Sequence, residues 1–131
     1  MEGVFYLELQ KNILVCVTQQ ITCEKLIKKA AETKSSSRIN LFVIHVVKNK
    51  WKFLNSASEG EALEYLFGIS KSVGANLTVL RSDKIVDTIS EFAIENNIGQ
   101  IFMGQSPNDD SKNNFHNELT KVLDNIEISV V

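Results

Sequence analysis

Apolar residues along this chain fall into two alternating kinds of segment: unbroken runs of strand length, and longer stretches in which they recur every three or four positions. The run "NILVCVT" (12–18) is rich in β-branched residues and reads as a strand buried on both faces. "TCEKLIKKAAETK" follows at helical period, with Cys23, Leu26, Ile27, Ala30 and Ala31 on one stripe and its lysines facing away. "RINLFVIHVV" (38–47) predicts the second strand. "EGEALEYLFGISKSVG" predicts the second helix, with Ala62, Leu63, Leu66, Phe67 and Val73 on its buried face and Gly74 as its stop. "ANLTVLR" (75–81) is the third strand, and "DKIVDTISEFAIENN" turns Ile85, Val86, Ile89, Phe92 and Ala93 inward, with Asp83 placed to cap it. "GQIFMG" (99–104) is the fourth strand, "NNFHNELTKVLDN" carries Phe115, Leu119, Val122 and Leu123 as the fourth helix, and "IEISVV" (126–131) is the fifth strand.

Strands that alternate with helices form a parallel sheet, because each parallel crossover needs a helix and the crossovers are right-handed. The expected fold is α/β: an open five-stranded parallel sheet with helices on both faces, Rossmann-like. A chain that winds outward through strands one, two and three, then returns to place four and five on the other side, reverses between strands one and four. Residues 12–131 make up this domain. Residues 1–11 precede the pattern and read as a leader, a linker remnant or an extra edge element. The connection 48–58 carries Trp51 and Phe53, either a flap packed on the sheet edge or a ligand platform.

Composition narrows the partners. A chain of 131 residues, 44% hydrophobic and 23% charged with one proline, suits a single globular domain. Lys and Arg total 14 against 16 Asp and Glu, a net charge of −2. No positive excess exists to release counterions, so nucleic acid is not an expected partner. Cys16 lies inside an apolar run, Cys23 has no second Cys/His pair nearby, and both are expected as reduced thiols without metal. Glu2 and Glu8 do not suit a signal peptide, and no run approaches the roughly 18 apolar residues of a membrane span. The expected location is cytoplasmic, with no membrane contact by the domain itself.

Ligands in an open α/β sheet sit beyond the carboxyl ends of the strands where the winding reverses. That point brings "TQQIT" (18–22) opposite the stretch that opens at Gly104, "GQSPNDDSKNN". Gly104 permits close backbone approach, and Thr18, Gln20 and Ser106 offer neutral hydrogen bonds, a set that suits an anion at a helix N-terminus. Asp109, Asp110 and Glu24 bring negative charge to the same mouth, with Lys112 as the loop's cation, which opposes a polyphosphate unless Mg²⁺ bridges the carboxylates. The same residues fit a solvated connector closed by a turn glycine. His45 lies in the second strand, behind the mouth, and His116 near the start of the fourth helix. Neither has a Ser or Cys beside it in sequence, so no catalytic set is predicted. "FHNELT" (115–120) is superficially similar to the phosphoacceptor box of sensor histidine kinases, but lacks the following proline and the long helical hairpin of that box.

Together these segments resemble a universal stress protein-like domain, and more narrowly the one in Kdp-type sensor histidine kinases, which serve potassium and osmotic sensing. The similarity is carried by "NILVCVTQQITCEKLIKKAAE" (12–32), "LFVIHVV" (41–47), "GANLTVLRSDKIVDTISEFAIENNIGQIFMGQS" (74–106) and "ISVV" (128–131). It implies the strand order 3-2-1-4-5. Many universal stress proteins bind ATP through an Asp that ends the first strand and a loop of spaced glycines after the fourth. Here Thr18 stands at the Asp position, Gly104 is kept, Pro107 replaces the second glycine, and Asn117-Glu118 occupy the final Gly-Ser/Thr. Pro107 has no N–H to offer a phosphate. Kdp-type domains that bind cyclic di-AMP carry Ser-x-Ser after the first strand and Phe-Thr-Ala-x-Tyr in the second. The matching residues here are Thr18, Gln19, Gln20 and Leu41 to His45, and the basic loop Gly-Lys-Ser-Arg-Arg is replaced by "GQSPN".

The resemblance implies a non-catalytic sensory or regulatory domain of a Kdp-type two-component system, any kinase activity belonging to a larger parent protein. ATP with Mg²⁺ or cyclic di-AMP is the implied ligand, with Thr18, Gln20, His45, Gly104 and Ser106 as the expected site, and neighbouring kinase or sensor domains as partners. The alternative is a free-standing universal stress protein that binds ATP as a homodimer paired through "IEISVV". A nucleotide hydrolase on the same fold is the third reading.

Overall fold

The computed structural model describes residues 11–18, 20–50, 58–104 and 109–131. Residues 1–10, Trp51 and Phe53 lie outside the described residues. Strands β1 (Asn12–Cys16), β2 (Leu41–Val47), β3 (Asn76–Arg81), β4 (Ile98–Met103) and β5 (Glu127–Val130) alternate with helices α1 (Gln20–Glu32), α2 (Glu59–Ser72), α3 (Ile85–Glu95) and α4 (Asp109–Val122). The sheet is parallel throughout, in the order β3-β2-β1-β4-β5. Fold class and winding are as the alternation predicts. Four strands are shorter than the apolar runs: β1 ends at Cys16, Arg38 to Asn40 precede β2, Ala75 precedes β3 and Ile126 precedes β5, while β4 keeps its length and starts one residue earlier, at Ile98.

The central place of β1 explains its unbroken apolar run, since successive side chains of a strand point to opposite faces and both faces here are covered. Ile13, Val15 and Val17 pack with Cys23, Leu26, Ile27 and Ala30 of α1 and with Ala62, Leu66 and Ile69 of α2. Leu14 and Cys16 pack on the other side with Ile89 and Ala93 of α3, Leu119 of α4, and Leu123 just past its end. Two residues expected inside are exposed: Phe67 at 57% and Val122 at 53%. On α2 the buried line runs through Ala62, Leu66, Ile69 and Ser70. Phe67 sits one residue from Leu66, about 100° around the helix, and so leaves the core. Val122 is displaced in the same way from the line of Leu119 and Leu123. Phe115 lies outside the residues whose side chains are described.

Helix ends show which local signals prevail. Gly74 ends α2 with φ +72°, and the N–H groups of Gly74 and Ala75 return to the carbonyls of Lys71 and Ser70. That left-handed C-terminal motif costs glycine nothing sterically. Asp83 does not cap α3. The residue before that helix is Lys84, without a side-chain cap, and the Asp83 carboxylate accepts from the backbone N–H (3.2 Å) and side-chain amide (3.0 Å) of Asn49. Two donors from the exit of β2 hold it, while Ser82 Oγ takes the Lys84 N–H at 3.1 Å.

At the amino ends of the strands, Asn12 ties three segments. Its Nδ2 donates to the Asn96 carbonyl (2.8 Å), its Oδ1 accepts from the Asn40 N–H (3.0 Å), and its own N–H donates to the Asn97 carbonyl (2.9 Å). The β1–β4 register shifts between Asn12 and Ile13, and a Cβ on Gly99 would lie 2.5 Å from Lys11 Cβ. Glycine is what lets the two chains approach there.

Ser70 and Ser90 are buried, and their hydroxyls have no hydrogen-bond partner among the described residues. Both lie within helices. Alanine removes the orphaned hydroxyl and favours the helix, so Ser70→Ala and Ser90→Ala are each expected to stabilise by about 0.5–1 kcal/mol. The urea midpoint should rise with its slope unchanged; an unchanged or lower midpoint contradicts the assignment.

Candidate functional site

Neighbouring strands β1 and β4 lead into helices on opposite faces of the sheet, α1 on one and α4 on the other. A crevice at their carboxyl ends follows from that divergence. Cys16 is in register with Met103, which sets exposed Thr18, just past β1, beside half-buried Gly104, just past β4. Gln20 is the first residue of α1. The backbone positions of Thr18, Gln20 and Gly104 therefore share one mouth. The Gln20 side chain and the whole of Ser106 lie outside the described residues, as do Gln19 and Pro107.

His45 stands behind this mouth with 1% of its surface exposed. Its Nδ1 lies 2.7 Å from the carbonyl of Val17, the residue before Thr18. A carbonyl oxygen only accepts, so Nδ1 carries a proton and donates it. Burial lowers the pKa of the ring; the Val17 bond raises it and the Arg81 charge lowers it further. The net result is a neutral imidazole at pH 7, with its Nδ1–H committed to the backbone of the chain leaving β1.

On the α1 side of the mouth the electrostatics are milder than a count of carboxylates suggests. The first turn of α1 carries no acidic residue. Glu24, one turn further on, pairs with Lys28 at 2.7 Å and accepts from Tyr65 Oη of α2 at 2.9 Å. The Lys28 hydrogen bond, then that of Tyr65, lowers its pKa, so the charge is partly answered within the helix layer. The positive end of the α1 dipole thus faces the crevice without a competing anion in its own first turn. Asp109 and Asp110 open α4, and their side chains lie outside the described set.

A second polar cluster lies at the exits of β2 and β3. Arg81 donates to the carbonyls of Lys48 (3.4 Å) and Asn49 (3.2 Å) and pairs with Glu59 in the first turn of α2 (2.7 Å). With the Asp83–Asn49 bonds, it fastens the start of the 48–58 connection to β3 and α2. Sequence reasoning missed it because the partners are far apart along the chain. The two thiols offer no reactive group: burial pushes the Cys16 pKa up to about 12 and raises that of Cys23. Among the described residues, no helix is long and apolar enough to cross a membrane.

No protein-family model and no curated protein matches the sequence. Solved structures match in fold. A universal stress protein from Archaeoglobus fulgidus gives a TM-score of 0.65 over 92% of this chain and 97% of its own, at 18% identity. The universal stress protein from the same organism in complex with dAMP gives 0.63 over 92% and 96%, at 19% identity. A universal stress protein in complex with cAMP gives 0.61 over 93% and 97%, at 13% identity. The chain has the universal stress protein fold.

Proposed function

We propose that this chain is a nucleotide-responsive regulatory domain of universal stress protein type. The observation that carries the reading is the mouth at the switch point, where Thr18 and the start of α1 meet Gly104 across two adjacent strands. Backbone donors, a neutral side chain and a helix N-terminus free of acidic residues in its first turn suit a phosphate. Two solved structures of this fold are complexes with dAMP and with cAMP, which supports an adenine nucleotide as the ligand class. ATP with Mg²⁺ and cyclic di-AMP are the compounds to test. Binding without catalysis is supported by the commitment of the His45 Nδ1–H to Val17 and by the raised thiol pKa values.

The resemblance of 12–32 and 74–106 to Kdp-type sensor kinases supports a narrower role, in which ligand binding biases the two-state equilibrium of a parent kinase in potassium or osmotic signalling. In that role 12–131 is the sensing domain, 1–11 its leader or linker, and neighbouring kinase domains its partners in the cytoplasm. A free-standing homodimer is favoured by a separate observation. Strand β5 lies at the edge of the sheet, and Val130 at its end and Val131 just past it are 42% and 37% exposed.

Thermal unfolding in the presence of ATP with Mg²⁺, and separately of cyclic di-AMP, tests the nucleotide reading. At 100 times its dissociation constant a ligand stabilises by about 2.7 kcal/mol, several degrees in a domain of this size. A rise with either compound is expected. No rise with either at millimolar concentration overturns the reading and leaves a domain that works through contacts with other protein.

A further inference from the structure

We propose that His45 is a positioning residue: by holding the Val17 carbonyl on the β2 side, it turns the Thr18 backbone N–H toward β4, to receive a phosphate oxygen of the ligand. The inference rests on the nucleotide reading above, and it names the ligand group that meets the tip of β1 and the side chain that aims the donor.

The direction of that N–H follows from two independent observations. N–H groups along a parallel strand alternate between its two neighbours. On β1 and its exit, Ile13 and Val17 donate toward β2, to the carbonyls of Asn40 and Ile44, each at 3.0 Å. Asn12 donates the other way, to the Asn97 carbonyl at the start of β4, at 2.9 Å. Thr18 belongs to the even set, so its N–H points to the β4 side. The Val17–Thr18 peptide is trans, which sets its C=O and N–H in opposite directions. With the imidazole of β2 holding the carbonyl at 2.7 Å, the N–H must face away from β2.

Pairing of β1 with β4 ends at Cys16 and Met103. Among the described residues no backbone carbonyl accepts from the Thr18 N–H. A donor that would have continued the ladder thus opens onto the crevice beside Gly104. It lies two residues before α1, whose first turn carries no acidic side chain, so an anionic acceptor is favoured there. Histidine suits the task because it reaches the carbonyl with Nδ1–H from a buried strand position. Asparagine places an amide nitrogen at a similar reach, while phenylalanine fills the space without a donor.

The test compares ATP with Mg²⁺ against adenosine, which lacks the phosphates, on the whole chain carrying His45→Phe, His45→Asn, Thr18→Pro or Asn12→Ala. Thr18→Pro deletes the N–H itself, and Asn12→Ala is a destabilising change at the opposite end of β1. His45→Phe and Thr18→Pro are expected to weaken ATP binding about tenfold or more while adenosine binding stays within about threefold, and His45→Asn and Asn12→Ala to stay within about threefold for both. The proposal is overturned if His45→Phe or Thr18→Pro binds ATP like the wild type, if His45→Phe weakens ATP and adenosine alike, or if His45→Asn is as weak as His45→Phe. Wild-type protein that binds neither compound removes the nucleotide reading and this inference with it. Wild-type binding that His45→Phe leaves intact removes this inference alone.

Discussion

Leu14→Ala is expected to lower the unfolding free energy by about 3 kcal/mol and the melting temperature by about 10 °C. Leu14 is fully buried on the central strand. It points into the layer formed with Ile44, Ile89, Ala93, Ile101 and Leu119, residues drawn from β2, α3, β4 and α4. Elements on three sides are fixed by the sheet ladder and by their own packing, so the cavity left by the lost carbons can collapse only partly. The transfer term and the cavity term therefore add. With total stability on the order of 5–15 kcal/mol, such a loss is a large fraction of the whole. Urea unfolding reads it, and a change below about 1 kcal/mol would mean that this layer is not packed as described.

Asn12→Ala should cost about 1–1.5 kcal/mol, for a different reason. Its amide joins the start of β1 to Asn40 before β2 and to Asn96 after α3, through bonds of 3.0 and 2.8 Å. Alanine leaves the part-buried Asn96 carbonyl without its partner, a net loss of roughly 1 kcal/mol, and hands the exposed Asn40 N–H to water, which costs less. Asn12→Asp separates donor from acceptor. It keeps an oxygen for the Asn40 N–H but sets a carboxylate against the Asn96 carbonyl, and at pH 7 it should be at least as destabilising as alanine. Denaturant midpoints of the two variants check this; an aspartate variant as stable as wild type contradicts the bonding described.

Strand order and the position of the switch point are legible because they rest on coarse features. Apolar runs buried on both faces, separated by helix-period segments, leave few sheets besides a parallel one covered on both sides. The switch point then follows from the winding. What was not legible depended on partners distant in the chain. Asp83 has the look of a helix cap, yet Asn49, 34 residues earlier, supplies two donors and takes it. His45 reads as a ring near a pocket; its bond to Val17, 28 residues away, links it to the backbone that leaves β1. Phe67 and Val122 were placed inside on hydrophobicity, although each lies one residue off its buried line, where the helix has already turned outward. The glycine of α2's stop was readable because its reason is local: a left-handed residue at the end of a helix.

The most direct test of the central claim is a two-dimensional amide NMR titration of the chain with ATP and Mg²⁺, repeated with cyclic di-AMP. A nucleotide held at the switch point will move the amide signals of Thr18, Gln20 and Gly104 first and most, with the exposed edge of β5 unmoved. Saturating shifts confined to other surfaces, or none with either compound, would contradict a nucleotide site between β1 and β4.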